Sequence, residues 1–159
     1  MATKEKIPAD VAYSSRVKKT FQINQDDLLP YSDSKSITFA ALTTGAVDTH
    51  DLLTITGVVA LSIFGVCGTN VTGSGTIEVG TALSTAGLIA QTTGADIDAG
   101  DIWHDATPDS SIELTSVILK KIVAQDVAYT IASDTLTGGE ITFYIRWSPI
   151  STDGNVEFV

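Results

Sequence analysis

The stretch LLTITGVVALSIFGVCG, Leu52 to Gly68, is the most apolar run in the chain, and its reading decides the fold class. Its odd positions include Leu53, Ile55, Val59, Leu61, Ile63 and Cys67, and the thiol is the one polar group among them. Its even positions open with Thr54 and Thr56, then turn to Val58, Ala60, Ser62, Phe64 and Val66. A period of two assigns one set of side chains to each face of a strand. The odd face is therefore core throughout. The even face begins at solvent and is then covered, either by a second layer of the same chain or by a neighbouring subunit. Gly57 marks a bulge or a break into two strands. The run falls short of the roughly 20 apolar residues of a membrane helix, and its β-branched residues suit a pleated strand. No membrane span is expected.

Outward from this run, short alternating segments recur. Arg16 to Asn24 alternates Val17, Lys19, Phe21 and Ile23 with polar residues, and a loop through Asp26, Asp27, Pro30 and Asp33 follows. Ser36–Thr43 reads as a strand, and Thr44 to Asp51 as a turn-rich connection. Beyond Gly68, GTNVTGSG reads as a loop to Gly75. Strands are expected at Thr76–Thr81, Leu88–Gln91, within Ser111–Thr115 and Ser116–Ala124, and at Val127–Ile131. Glu140–Trp147 shows the cleanest alternation, and Val156–Val159 adds a last short strand. Thr92–Pro108 reads as a long surface connection with one short strand. About eight to ten strands with turn signals every 8–12 residues predict an all-β sandwich of jelly-roll or Greek-key type. Residues 1–15, rich in charge and containing Pro8, read as an extended N-terminal arm, and residues 16–159 as a single domain.

Composition narrows the function classes. Nineteen acidic residues against nine basic ones give a formal charge of −10. Residues 1–35 hold six basic and five acidic side chains, so the acidic excess lies beyond Lys35. Nucleic-acid binding is not expected, because phosphates require a basic footprint. The one cysteine, Cys67, lies inside the apolar run and reads as a small hydrophobe. The start, MATKEKIPAD, lacks an apolar signal core, which predicts folding in a cytoplasm.

Candidate sites are sparse. Asp96, Asp98 and Asp101, with His104 and Asp105 beside them, offer hard oxygen ligands of the kind that hold Ca²⁺, but lack the register and closing Glu of an EF-hand. Solvated acids or turn caps are the simpler reading, with no cofactor. No Gly-x-Ser-x-Gly accompanies the histidines His50 and His104, so no catalytic residue is assigned and no enzyme is expected. The glycines of GTNVTGSG lack the Lys-Ser/Thr ending of a phosphate loop. Glu78, Glu113 and Glu140 are expected on outer strand faces. Trp147 shares a face with Ile141, Phe143 and Ile145 and reads as core. Ala60, Phe64, Val66, Trp103 and Tyr144 are the candidates for an oligomer, partner or carbohydrate contact.

GTIEVGTA (Gly75–Ala82), GLIAQTTGADIDAGDIW (Gly87–Trp103) and GGEITFYIRWSPISTDGN (Gly138–Asn155) give the C-terminal half its character. This half resembles the small β-sandwich virion structural proteins of tailed bacteriophages. The resemblance implies a capsid decoration or cement protein that binds the major capsid protein or other virion proteins and its own copies. A homo-oligomer, with a trimer favoured, would be made in the host cytoplasm and reside in the virion. No functional residue is carried over by it. A phage tail or fibre component and a carbohydrate-binding module using Trp103, Tyr144 and Ca²⁺ are the alternatives.

Overall fold

A computed structural model describes residues 31–109 and 111–159. Among them are ten strands: β1 (Tyr31–Thr38), β2 (Thr49–Thr56), β3 (Val59–Thr72), β4 (Thr76–Thr81), β5 (Ser84–Thr93), β6 (Ile102–Trp103), β7 (Lys121–Val123), β8 (Val127–Ala132), β9 (Gly138–Pro149) and β10 (Asn155–Phe158). Every pairing is antiparallel. One sheet runs β1-β9-β3-β6, with β7 also on β3, and the other runs β10-β2-β8-β4-β5. The protein is an all-β sandwich. Of the two expected strand orders this is the jelly roll, with β10 added at one edge. The arm expected over residues 1–15 and the strand expected from Arg16 lie outside the described residues. No described helix is long and apolar enough to cross a membrane.

The apolar run from Leu52 is two strands in two different sheets. Gly57 adopts φ +64°, a left-handed conformation that costs glycine nothing. There the chain leaves β2 in one sheet and enters β3 in the other. The crossing is pinned where Val58 donates its N–H to Ser151 Oγ at 2.8 Å and accepts from the N–H groups of Ile150 and Ser151. A shift of register between Asp51 and Leu53 turns both Leu52 and Leu53 inward, which simple alternation forbids. From Val59 onward the expected odd face is core: Val59, Leu61, Ile63 and Cys67 are buried. The even face is only half covered at Ala60, Phe64 and Val66.

The core closes because inward residues of β3 and β9 meet those of the second sheet. Ile141, Phe143, Ile145 and Trp147 alternate inward along β9, as their spacing predicts. Ile77, Val79, Val127, Tyr129 and Ile131 oppose them. Each such side chain contributes roughly 1.5–3 kcal/mol by leaving water. Trp103 sits across from Gly65, where a Cβ would run into the Ile141 side chain. The missing side chain makes room for Ile141 beside the indole.

Several boundaries differ from the expected ones. β1 starts at Tyr31, where a loop through Asp33 is expected, and the chain turns after Phe39 rather than running extended to Thr43. This edge strand has one buried aliphatic residue, Ile37, so alternation signals it poorly. β3 passes Gly68 and continues to Thr72 through two register shifts. β5 begins at Ser84 rather than Leu88. The strands expected within residues 111–124 shrink to Lys121–Val123.

That last difference has a topological cause. β6 pairs with Val66 and Gly65, and β7 with Leu61 through Val59. The two lie end to end along β3, as one jelly-roll strand interrupted by an excursion, residues 104–120. Of the apolar residues expected on those strands, Ile112, Leu114, Val117, Ile118 and Leu119 belong to that excursion, and only Ile122 and Val123 lie in β7.

Replacing Gly57 by Ala puts a Cβ at positive φ and against Ser151 Oγ and the Asp153 carboxylate. A left-handed conformation costs an L-residue about 1–2 kcal/mol. Urea unfolding of Gly57→Ala is expected to show at least that loss. An unchanged midpoint would mean that the sheet crossing does not require glycine.

Candidate functional site

Four of the five expected contact residues share one surface. Ala60, Phe64 and Val66 of β3 and Tyr144 of β9 lie on the outer face of the β1-β9-β3 sheet, because each is one residue out of phase with the core positions. Phe64 lies directly opposite Tyr144. Their rings stack with centroids 5.5 Å apart and planes 16° apart. Tyr144 remains exposed. Ser32, Ser34 and Arg146 join this pair around a shallow open depression. Ala60 lies opposite Ile122, and Val66 opposite Ile102.

The fifth, Trp103, is not a contact residue in this fold. It has no exposed surface, packs edge-on against Phe143 at 6.1 Å and donates its Nε1–H to Thr92 Oγ1 at 3.0 Å. A buried indole with its N–H satisfied is a core residue.

The structure adds residues that alternation hid. Ile112, Leu114 and Leu119 of the excursion are 84%, 70% and 66% exposed, and Ile122 of β7 and Leu83 before β5 are 67% and 84% exposed. Leu83 and Ile122 line one groove of about 530 Å³. An adjoining cavity of about 210 Å³ is lined by Val117 and Leu119, and both hollows share Leu88 and Lys121. Lys121 Nζ reaches the carbonyls of Gly87 and Leu88 at 2.6 and 3.3 Å, which ties β7 to β5 across the mouth of the sandwich. The signal available in sequence was the apolar content of residues 112–122. It reads as strand because nothing local separates an exposed apolar loop from a buried strand.

The acids Asp96, Asp98 and Asp101 do not converge into a three-ligand set. They hold turns instead. Asp98 accepts from Asn70 Nδ2 at 2.9 Å, Asp101 accepts the Asp98 N–H at 2.9 Å, and Asp96 ends a short 3-10 turn, Gly94–Asp96. The negative charges of Asp101 and Asp98, after burial, help push the Cys67 thiol up. Its sulfur lies 3.2 Å from the Thr69 carbonyl, and the thiol is buried.

A different group does converge. His104, just past β6, has only 6% of its side chain exposed. Its Nε2 lies 3.3 Å from Asp109 Oδ2 and 3.5 Å from Glu113 Oε2, and its Nδ1 lies 3.7 Å from Asp105 Oδ2. Glu113 is in the excursion rather than on a strand face. The Leu114 N–H at 2.6 Å, then Asp109, then His104 hold its carboxyl below the usual range. Of the other two glutamates expected on outer faces, Glu78 is nearly buried beneath Gln91, and Glu140 accepts from Thr38 at 3.1 Å.

His50 meets no acid-nucleophile pair. It stacks on Tyr129 with centroids 4.8 Å apart and bonds the Ala46 carbonyl through Nε2 at 3.0 Å. Tyr129 in turn donates its hydroxyl to the Thr44 carbonyl at 3.1 Å.

Burial pushes the Tyr129 phenol up to about 12 from an ordinary 10.0. An unfolded chain releases this proton near pH 10 while the native state keeps it. Tyr129 therefore contributes no pH dependence below about 10, and stability falls between about pH 10 and about pH 12. Urea midpoints measured across this range should decline in the native protein and decline less in Tyr129→Phe. Parallel slopes would contradict the assignment. Comparison with protein-family models, with curated proteins and with solved structures finds no match for this chain.

Proposed function

We propose that the protein is a structural assembly component that binds its own copies and other protein, and that it serves as a virion part of the capsid decoration or cement kind. The observation that carries this reading is the exposure of Leu83, Ile112, Leu114, Leu119 and Ile122, on a chain with only 18% charged residues. Exposed aliphatic side chains gathered around a groove mark partner surfaces. Leu83 and Ile122 share a groove, and Val117 and Leu119 of the excursion line the cavity that adjoins it. Such a surface is energetically unfavourable in water and is covered when copies associate symmetrically.

The jelly-roll order agrees with this reading as an analogy of fold, since shells and lectins both use it. The resemblance of the C-terminal half to small virion proteins of tailed phages points to the first of these. Residues 1–15 are then an arm that ties the body to the shell, and several arms acting together multiply weak contacts. A tail or fibre location fits the same surface. The carbohydrate-binding alternative retains Tyr144, stacked on Phe64, but loses Trp103 to the core.

Light scattering on the full chain is expected to report an oligomer, with a trimer favoured. Leu119→Ser combined with Ile122→Ser should shift it to a monomer while the melting temperature of the monomeric fold changes little, since both side chains are already exposed. A native protein that stays monomeric at every concentration tested would overturn the assembly reading. Removing residues 1–15 should abolish attachment to shells, and undiminished attachment would remove the arm from the account.

A further inference from the structure

We propose that His104, Asp109 and Glu113 form a binding site for one divalent metal ion of the zinc class. The site is built by local backbone geometry. Ile102 and Asp109 exchange two backbone hydrogen bonds, N–H to carbonyl at 2.8 and 3.0 Å. This closes the intervening residues into a loop, so that His104 and Asp109 stand at the same end of β6. The chain then returns Glu113 to the same point, and the three ligand atoms all lie within 4.8 Å of one another.

The distances favour ligation over simple ion pairing. A charge-assisted N–H···O⁻ bond runs about 2.7–2.9 Å. Asp109 Oδ2 meets Nε2 in a long hydrogen bond of 3.3 Å, and Glu113 Oε2 stands 3.5 Å away, so neither contact is as short as that. A single ring nitrogen also has at most one proton, so it can make a well-aligned bond to only one of the two acids. Zinc–ligand bonds of about 2.0–2.2 Å put two ligands of a tetrahedron roughly 3.3–3.5 Å apart. The observed spacings match those edges. The second ring nitrogen faces the Asp105 carboxylate, the outer partner that metal-bound imidazoles usually have. Lys121, which borders the neighbouring cavity with His104, places its ammonium on backbone carbonyls instead.

The donor set selects the ion. Two carboxylates carry the charge that a divalent cation neutralises. The imidazole, a nitrogen ligand, favours zinc-like ions over Ca²⁺ and Mg²⁺, which take oxygen. Asp109 is 45% exposed at its side chain, so ions enter from solvent, and a fourth position is left for water. The structural consequence is a staple. An ion held here joins the excursion, through Glu113, to the end of β6.

The test uses the full-length chain after treatment with a chelator and dialysis, titrated calorimetrically with zinc chloride. One zinc per chain is expected, with calcium and magnesium at least about tenfold weaker. Asp109→Asn and Glu113→Gln should each weaken zinc at least about tenfold while circular dichroism stays native, since both residues have solvent access. His104→Ala is the less useful variant, because the ring is buried. Zinc should raise the melting temperature of the native protein and not that of Glu113→Gln. Asp98→Asn, in the neighbouring acidic turn, should bind zinc normally. Absence of stoichiometric uptake, undiminished affinity in the Asp109→Asn/Glu113→Gln double variant, or calcium binding as tight as zinc would each overturn the proposal.

Discussion

The ladder between β3 and β9 is the constraint on which the rest of the structure depends. It runs from Val59 opposite Pro149 to Thr72 opposite Gly138. Along it Leu61 faces Trp147, Ile63 faces Ile145, and Cys67 faces Ile141, so two inward rows of apolar residues are locked side by side. Antiparallel pairing with a period of two leaves no freedom in which residues point out: Ala60, Phe64, Val66 and Tyr144 take the other face by necessity. At Gly65 the ladder has no side chain of its own, and Trp103 fills the opposite position from the other side of β3. The core is complete only when this distant tryptophan arrives.

A second consequence follows from what β3 carries on its other edge. A continuous strand there would have buried the edge of the sheet along its length. Instead β7 covers Val59 to Leu61 and β6 covers Gly65 and Val66, and residues 104–120 leave the sheet between them. Because Asp109 folds back onto Ile102, the excursion starts with a tight loop that gathers His104, Asp109 and Glu113. Because it then has no sheet to join, Ile112, Leu114 and Leu119 remain at the surface. The interruption of one strand thus generates both the polar cluster and the apolar surface. They lie on one segment, which makes a metal staple at its base and a protein partner on its outside physically compatible.

Much of the sandwich was legible in the chain, and the reasons for success and failure are specific. Val127–Ile131 and Glu140–Trp147 alternate cleanly because one face of each is core and the other is not. The run from Leu52 was legible as core but not as two strands, since a glycine signals freedom without saying how the backbone uses it. Residues 111–124 were misread because apolar content reports a need for cover and not its source. Trp103 stood among acids and glycines, which suggested exposure. Its partners Gly65, Thr92 and Phe143 are remote in sequence. The three ligands of the proposed metal site were equally illegible: His104 was visible beside Asp98 and Asp101, whereas Asp109 and Glu113 reach it only through the Ile102 bridge.

The sequence by itself determined that this acidic, hydroxyl-rich chain forms layered antiparallel strands, and which residues of most strands face inward. Those are consequences of local periodicity, set by the pleat of the backbone. Only the tertiary structure decided where the chain changes sheets at Gly57, that one jelly-roll strand is interrupted, and which acids surround His104. Those outcomes depend on pairings between residues far apart along the chain, and no local pattern encodes which partner a strand edge will meet.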